Sequence, residues 1–137
     1  MNIIYKINNS KKEDIDSHLS ITNEYFNPPL STKLNLLDFA EKIYNNATRF
    51  EAWDEEELIG LISCYCNKEV AFINHVAIIK KFQGLGIAKI LMKNCIDYTK
   101  EKRFKEIELE VSINNKEAIN LYKLFNFSIV NETDENF

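Results

Sequence analysis

Apolar positions change their spacing several times along this chain, and each change predicts an element. Ile3 to Ile7 reads as a first strand. Ser10, with Glu13 three residues on, has the form of a capping box, and Ile15, Leu19 and Thr22 carry one face of the helix it would open. Pro28 and Pro29 must interrupt that helix, because proline lacks a donor and biases the residue before it toward an extended backbone. A second helix is expected from Asn35 to Tyr44, with Leu36, Phe39, Ala40 and Ile43 on one face. Phe50 to Trp53 then reads as a strand, Asp54-Glu55-Glu56 as a charged turn, and Leu58 to Cys66 as the returning strand. Asn67-Lys68 turns again into an apolar run from Val70 to Ile79. Strands at such short spacing predict an antiparallel meander. A helical pattern follows to about Lys102, and Ile107 to Val111 alternates with Glu106, Glu108 and Glu110 as a half-buried strand. Asn114 with Glu117 can cap a last helix carrying Ala118, Leu121, Tyr122 and Phe125, and Phe127 to Val130 predicts a closing strand before a polar tail. The order is strand, two helices, three strands, helix, strand, helix, strand. That is a mixed α/β sheet in a single domain over residues 1–137.

Two of the chain's three glycines fall in Gln83-Gly84-Leu85-Gly86-Ile87-Ala88, between the apolar run and the helix after it. A strand, a tight glycine turn and a helix point free backbone N–H groups at one spot, with the positive end of the helix dipole behind them. Such a spot holds phosphate. An ordinary strand-to-helix turn that needs glycine for its dihedrals has the same sequence, and the residues alone leave both readings open.

Composition narrows the function. With 137 residues, 45% of them hydrophobic and 28% charged, the chain fits one globular core. A formal charge of −4 speaks against a nucleic-acid partner, which needs a basic footprint. Cys64, Cys66 and Cys95 are odd in number, and the first two sit too awkwardly on one strand to bridge, so all three are expected as reduced thiols in a cytoplasmic protein. With His18 and His75 they make no metal-ligand pattern, so no metal is expected. No apolar stretch approaches the roughly 18–20 residues that span a membrane. A nucleotide-binding domain is disfavoured, since Ile87 and Ala88 follow Gly86 where a phosphate-loop lysine would stand, and the full GxGxxG spacing is missing.

Gln83, Gly86 and Ala88 match the pyrophosphate loop of the GNAT N-acetyltransferase superfamily, and Asn115-Lys116-Glu117-Ala118-Ile119-Asn120-Leu121-Tyr122 through Phe127 resembles that family's late helix. The resemblance covers roughly Phe50 to Phe127. It implies an antiparallel meander followed by parallel, splayed strands with flanking helices. Asn126 stands where the family usually has glycine, and Asn tolerates the left-handed conformation. The chain ends too soon for the family's last strand, which leaves a sheet edge that a second copy in a homodimer would cover.

The resemblance implies acetyl-coenzyme A as donor and a primary amine, of a small molecule or a protein, as acceptor. It places the pyrophosphate on the amides of Gly84, Leu85, Gly86, Ile87 and Ala88 next to Gln83, and the pantetheine arm along the backbone of Val76 and Ile78 and against Asn115. It makes Tyr122 the general acid that protonates the departing thiolate. An acceptor amine must also lose a proton, at a cost of roughly 4–5 kcal/mol for a pKa near 10.4. On the strand entering the loop only Asn74 and His75 are polar near that point. Strict alternation puts Asn74, which can orient a water, on the face of Val76 and Ile78, and His75 on the other. Glu24, Glu51 and Glu110 are further candidate bases. The segment Phe26 to Ser31 occupies the stretch where this family shapes its acceptor pocket. An acyl-CoA-binding regulatory module without catalysis is the alternative function.

Overall fold

A computed structural model describes residues 2–66 and 69–130. Its elements are β1 (Ile3–Ile7), α1 (Lys12–Thr22), α2 (Leu36–Asn46), β2 (Thr48–Asp54), β3 (Glu57–Tyr65), β4 (Val70–Ile78), α3 (Ile87–Glu101), β5 (Glu106–Leu109) and α4 (Lys116–Leu124). The strands form one five-stranded sheet in the order β1-β2-β3-β4-β5. The first four pair antiparallel, and β5 lies parallel to β4. This is the meander that the pattern predicts, followed by the parallel strand that the resemblance implies.

Two apolar layers sandwich the sheet. On one face Phe50, Ile62, Cys64 and Ile73 meet Leu91 and Cys95 of α3. On the other, Trp53, Leu58 and Leu61 meet Ile15 and Leu19 of α1 and Ile43 of α2. Gly60 lets α3 approach, since a β-carbon there would come within 2.9 Å of Ile78 Cδ1 and 3.2 Å of Leu91 Cδ1. Asn35 caps α2 through its side-chain oxygen, which accepts from the Asp38 N–H.

Several local expectations are corrected. The helix α1 begins one residue later than the Ser10–Glu13 box implies: Lys11 is the N-cap, and its N–H donates to the Asp14 carboxylate. Ser10 is instead drawn to a buried acid far along the chain. Glu51, 0% exposed, accepts from the Asn9 N–H, the Ser10 N–H and hydroxyl, and the Trp53 indole N–H, with Arg49 Nε 3.5 Å away. The last helix is capped by Asn115, not Asn114, through a bond from the Ala118 N–H. Phe127 to Val130 does not form a strand. The Phe127 N–H turns back to the Tyr122 carbonyl, and Ser128 to Val130 are exposed and pair with no strand among the described residues. Asn126 does take the left-handed conformation, at φ 67°. The expected turn at Asn67-Lys68 and the polar tail from Asn131 lie outside the described residues.

Candidate active site

The glycine turn has the conformation its residues imply. Gly84 and Gly86 both have φ of +82°, a backbone that side chains strain to adopt. A β-carbon at either position would meet nothing within 4 Å, so the space above the turn is open. Gly86 is the N-cap of α3 and supplies no capping oxygen. The first intrahelical bond runs from the Ile90 N–H to the Gly86 carbonyl, so the N–H groups of Ile87, Ala88 and Lys89 have no partner within the helix. The first turn of α3 carries no acid. Open space, unmatched donors and a helix dipole together fit a diphosphate. Leu85 is exposed on this turn. Gln83 has a structural duty of its own: its Nε2 donates to the Ile78 carbonyl at 3.0 Å, tying the turn to the end of β4.

Beside this turn the sheet opens. The β4–β5 pairing runs from Val70↔Glu106 to Ile73↔Leu109 and stops there, while β4 continues to Ile78. From Asn74 onward β4 therefore has no strand beside it on the β5 side among the described residues. The parting coincides with a bulge. Ser63 pairs with His75 and Cys64 with Ile73, so Asn74 is an extra residue opposite β3. This breaks the alternation expected from the sequence. Ile73 and Val76 share the α3 face although three positions apart, because they pair with Cys64 and Ile62. Asn74 is thereby turned toward Tyr65, whose ring packs on the α1–α2 side, rather than sharing the face of Val76 and Ile78. Burial raises the Tyr65 phenol, and the nearby Asn74 amide partly offsets this. The approach of Asn74 to Tyr65 falls short of a well-formed hydrogen bond, so among the described residues the buried Asn74 amide and the buried Ser63 hydroxyl have no well-formed partner. Buried polar atoms left single cost stability unless a water or another group completes them.

Tyr122 lies in the same apolar layer as Ile73 and Ile78, 8% exposed, with its ring 5.8 Å from that of Phe127. Burial pushes its phenol up to about 12. Among the described residues nothing hydrogen-bonds its hydroxyl. Asn115 spends its side-chain oxygen on the α4 cap. Its amide nitrogen is left for any other contact.

The candidate bases separate clearly. His75 is buried at the α1–α2 face, its Nε2 3.2 Å from the Nε2 of His18, and the His18 Nδ1 lies 3.2 Å from the Leu58 carbonyl. A carbonyl only accepts, so His18 carries its proton on Nδ1, and His75 donates from Nε2 to the free Nε2 of His18. Burial pushes His18 down to about 4, against the pull of the Leu58 carbonyl, and holds His75 well below its usual value, with His18 adding to the effect. Both rings are neutral packing elements in this state. Glu51 is fully committed to its network on β2. Glu24 and Glu110 are exposed, the first beside the Phe26 segment and the second just past β5. The three cysteines are free, and Cys66 is held neutral by Cys64 beside it and by burial. Among the described residues no group of three or more His, Cys, Asp or Glu side chains is placed to hold a metal, and no helix is long and apolar enough to cross a membrane.

Two contacts here escape a reading of the sequence. The Tyr25 hydroxyl accepts the Lys80 N–H across 55 positions, and Tyr65 meets Asn74 through a bulge. His18 could have been found, since it lies three positions from Ile15 on the same helical face.

The fold and the open turn define an acyltransferase-like architecture, and comparison with known proteins agrees. The profile of the Acetyltransferase (GNAT) family matches residues 15–127. The chain belongs to that family. An uncharacterized N-acetyltransferase of Methanocaldococcus jannaschii is 27% identical over 147 aligned positions, which cover 90% of this chain and 60% of that protein. A putative [ribosomal protein bS18]-alanine N-acetyltransferase of Bacillus subtilis is 26% identical, covering 87% of this chain and 78% of its own length. Among solved structures, a putative acetyl transferase from Pyrococcus furiosus superposes with a TM-score of 0.77 over 98% of both chains at 21% identity. AAC(6')-Iy, in complex with the bisubstrate analogue CoA-S-monomethyl-acetylneamine, superposes with a TM-score of 0.72 at 15% identity, over 97% of this chain and 95% of that one.

Proposed function

We propose that this protein is an acetyl-CoA-dependent N-acetyltransferase acting on a primary amine. The observation that carries the reading is the stretch of β4 from Asn74 to Ile78, which β5 leaves unpaired on its side and which opens directly into the glycine turn. Acetyl-CoA would supply an activated acyl group on a thioester. The amides of Gly84 to Ala88 and the exposed Lys80 and Lys81 would hold its diphosphate, and the backbone of Val76 and Ile78 would lie along its pantetheine arm. Because the Ile78 carbonyl is taken by Gln83, the N–H groups of this stretch and the Val76 carbonyl are the better candidates for pairing. The same N–H groups would stabilise the oxygen that gains charge during attack.

Tyr122 would protonate the departing sulfur. Its phenol at about 12 stays protonated at any working pH. Donation to a free thiolate of pKa near 8.5 is uphill by about 5 kcal/mol, so the hydroxyl must already touch sulfur as the bond breaks. Asn74 would hold a water that carries away the amine's proton. With His75 paired and neutral and Glu51 committed elsewhere, no side chain on β4 takes that proton directly.

The acceptor is an amine of a small molecule or a protein; the Bacillus subtilis relative is named for a ribosomal-protein alanine, and the AAC(6')-Iy structure holds the bisubstrate analogue CoA-S-monomethyl-acetylneamine. The test has two parts. Calorimetry should detect acetyl-CoA binding by the folded protein. Thiol release should then be measured across a panel that includes an N-terminal alanine peptide, an aminoglycoside and a simple diamine. Absence of coenzyme binding refutes the reading; binding without turnover on any amine removes the catalytic part.

A further inference from the structure

The backbone leading from β4 into the glycine turn is fastened at every step. The Ile79 N–H donates to the Ile59 carbonyl at 2.8 Å, the Phe82 N–H to Ile79 at 2.8 Å and the Gln83 N–H to Lys80 at 3.2 Å. Lys80 opens a single 3-10 turn, Lys80–Phe82, and Ile79 before it brings no capping side chain. An N–H at that place has no partner within the turn. It is taken by the hydroxyl of Tyr25 at 2.8 Å.

Tyr25 ends the short turn Asn23–Tyr25 and leads into the proline segment. That segment is closed on itself. The Ser31 N–H donates to Asn23 Oδ1 at 2.8 Å, and Asn23 Nδ2 donates to Ser31 Oγ at 3.0 Å. Phe26 lies against His75, with ring centroids 5.7 Å apart. Residues 23–31 thus form a small closed loop on the face of β4 opposite α3. It touches the sheet through Phe26 and the glycine turn's entry through one hydroxyl.

We propose that Tyr25 is a positioning residue that couples the coenzyme's seat to the loop walling the acceptor space, so that filling the first steadies the second. The inference rests on the coenzyme reading above. A diphosphate gripped at residues 84–88 restrains the turn at 80–83, and through the Lys80 N–H it restrains Tyr25. By linkage, whatever steadies residues 23–31 strengthens the coenzyme's hold in equal measure. The bond lies at the surface, so Tyr25→Phe leaves Lys80 to water and spares the fold.

Amide hydrogen exchange of the parent and of Tyr25→Phe, each with and without CoA, tests this, with calorimetry for affinity. In the parent, CoA should slow exchange about tenfold or more at both 83–88 and 23–31. In Tyr25→Phe the slowing should persist at 83–88 and vanish at 23–31, and the CoA dissociation constant should rise about 3- to 10-fold as the coupling between the two segments is lost. A tyrosine with only a packing role would change exchange at 23–31 without CoA and leave the CoA-dependent difference intact, which overturns the proposal. A parent that binds CoA while 23–31 stays indifferent overturns it alone. A folded parent that binds no CoA sinks both this and the functional reading.

Discussion

Tyr122 shows how far one side chain can be placed by its surroundings. It stands on α4 two residues from the end, yet it is among the buried residues of the layer beneath α3. Its hydroxyl is the only part of the residue that chemistry would use. Tyr122→Phe keeps the ring against Phe127 and should lower turnover at least about tenfold, with CoA affinity nearly unchanged. Steady-state thiol release alongside calorimetry checks this, and equal turnover would remove the hydroxyl from the mechanism. Glycine at 84 and 86 is equally specific. The need there comes from positive φ and not from crowding, since both β-carbon positions are open.

At the scale of elements, β2 carries more than its pairing. Glu51 fastens the β1–α1 connection through Asn9 and Ser10, and Arg49 extends the cluster to the Ser10 hydroxyl and carbonyl and the Tyr44 carbonyl. Glu51→Ala strands a buried guanidinium and several donors, and should cost about 3–5 kcal/mol in urea unfolding. Activity per folded molecule should be retained, which separates this acid from a catalytic base. Local signals made much of the architecture legible. The meander, the glycine turn with its helix, the second helix and the cap of α4 (to within one residue) follow from spacings of two to four residues. What stayed hidden depends on partners far along the chain. Ser10 resembles a cap until Glu51 is brought to it. Phe127 to Val130 has strand composition, but a strand needs a neighbour, and none of the described strands pairs with it. Asn74 alternates correctly on paper, because a bulge is a property of two strands and not of one.

For the whole molecule, acidity should act through the core between α1 and the sheet. His18 and His75 are neutral there, and His18 borders a cleft lined by Asp14, Asp54 and Glu55 to Glu57. Below about pH 6.5 the unfolded chain takes up protons at both imidazoles, while native His18 resists until about 4. The unfolded state then binds more protons, so stability falls as pH drops through that window and levels off above it. For His18 alone the loss is about 3 kcal/mol, moderated by the carboxylates at the cleft. Urea midpoints measured from pH 8 to 4 should show this decline, and His18→Gln should flatten it. The extra residue in β4 carries a different consequence. Excising Asn74 would leave Ile73, Val76 and Ile78 on the face they already occupy and His75 on its own, giving a perfectly regular ribbon. Such a shortened chain should melt no lower than its parent, yet with the neighbouring strand free to zip onward it should lose its affinity for CoA. A thermal melt beside a binding isotherm of the deletion variant would show whether the extra residue serves the ligand and not the fold.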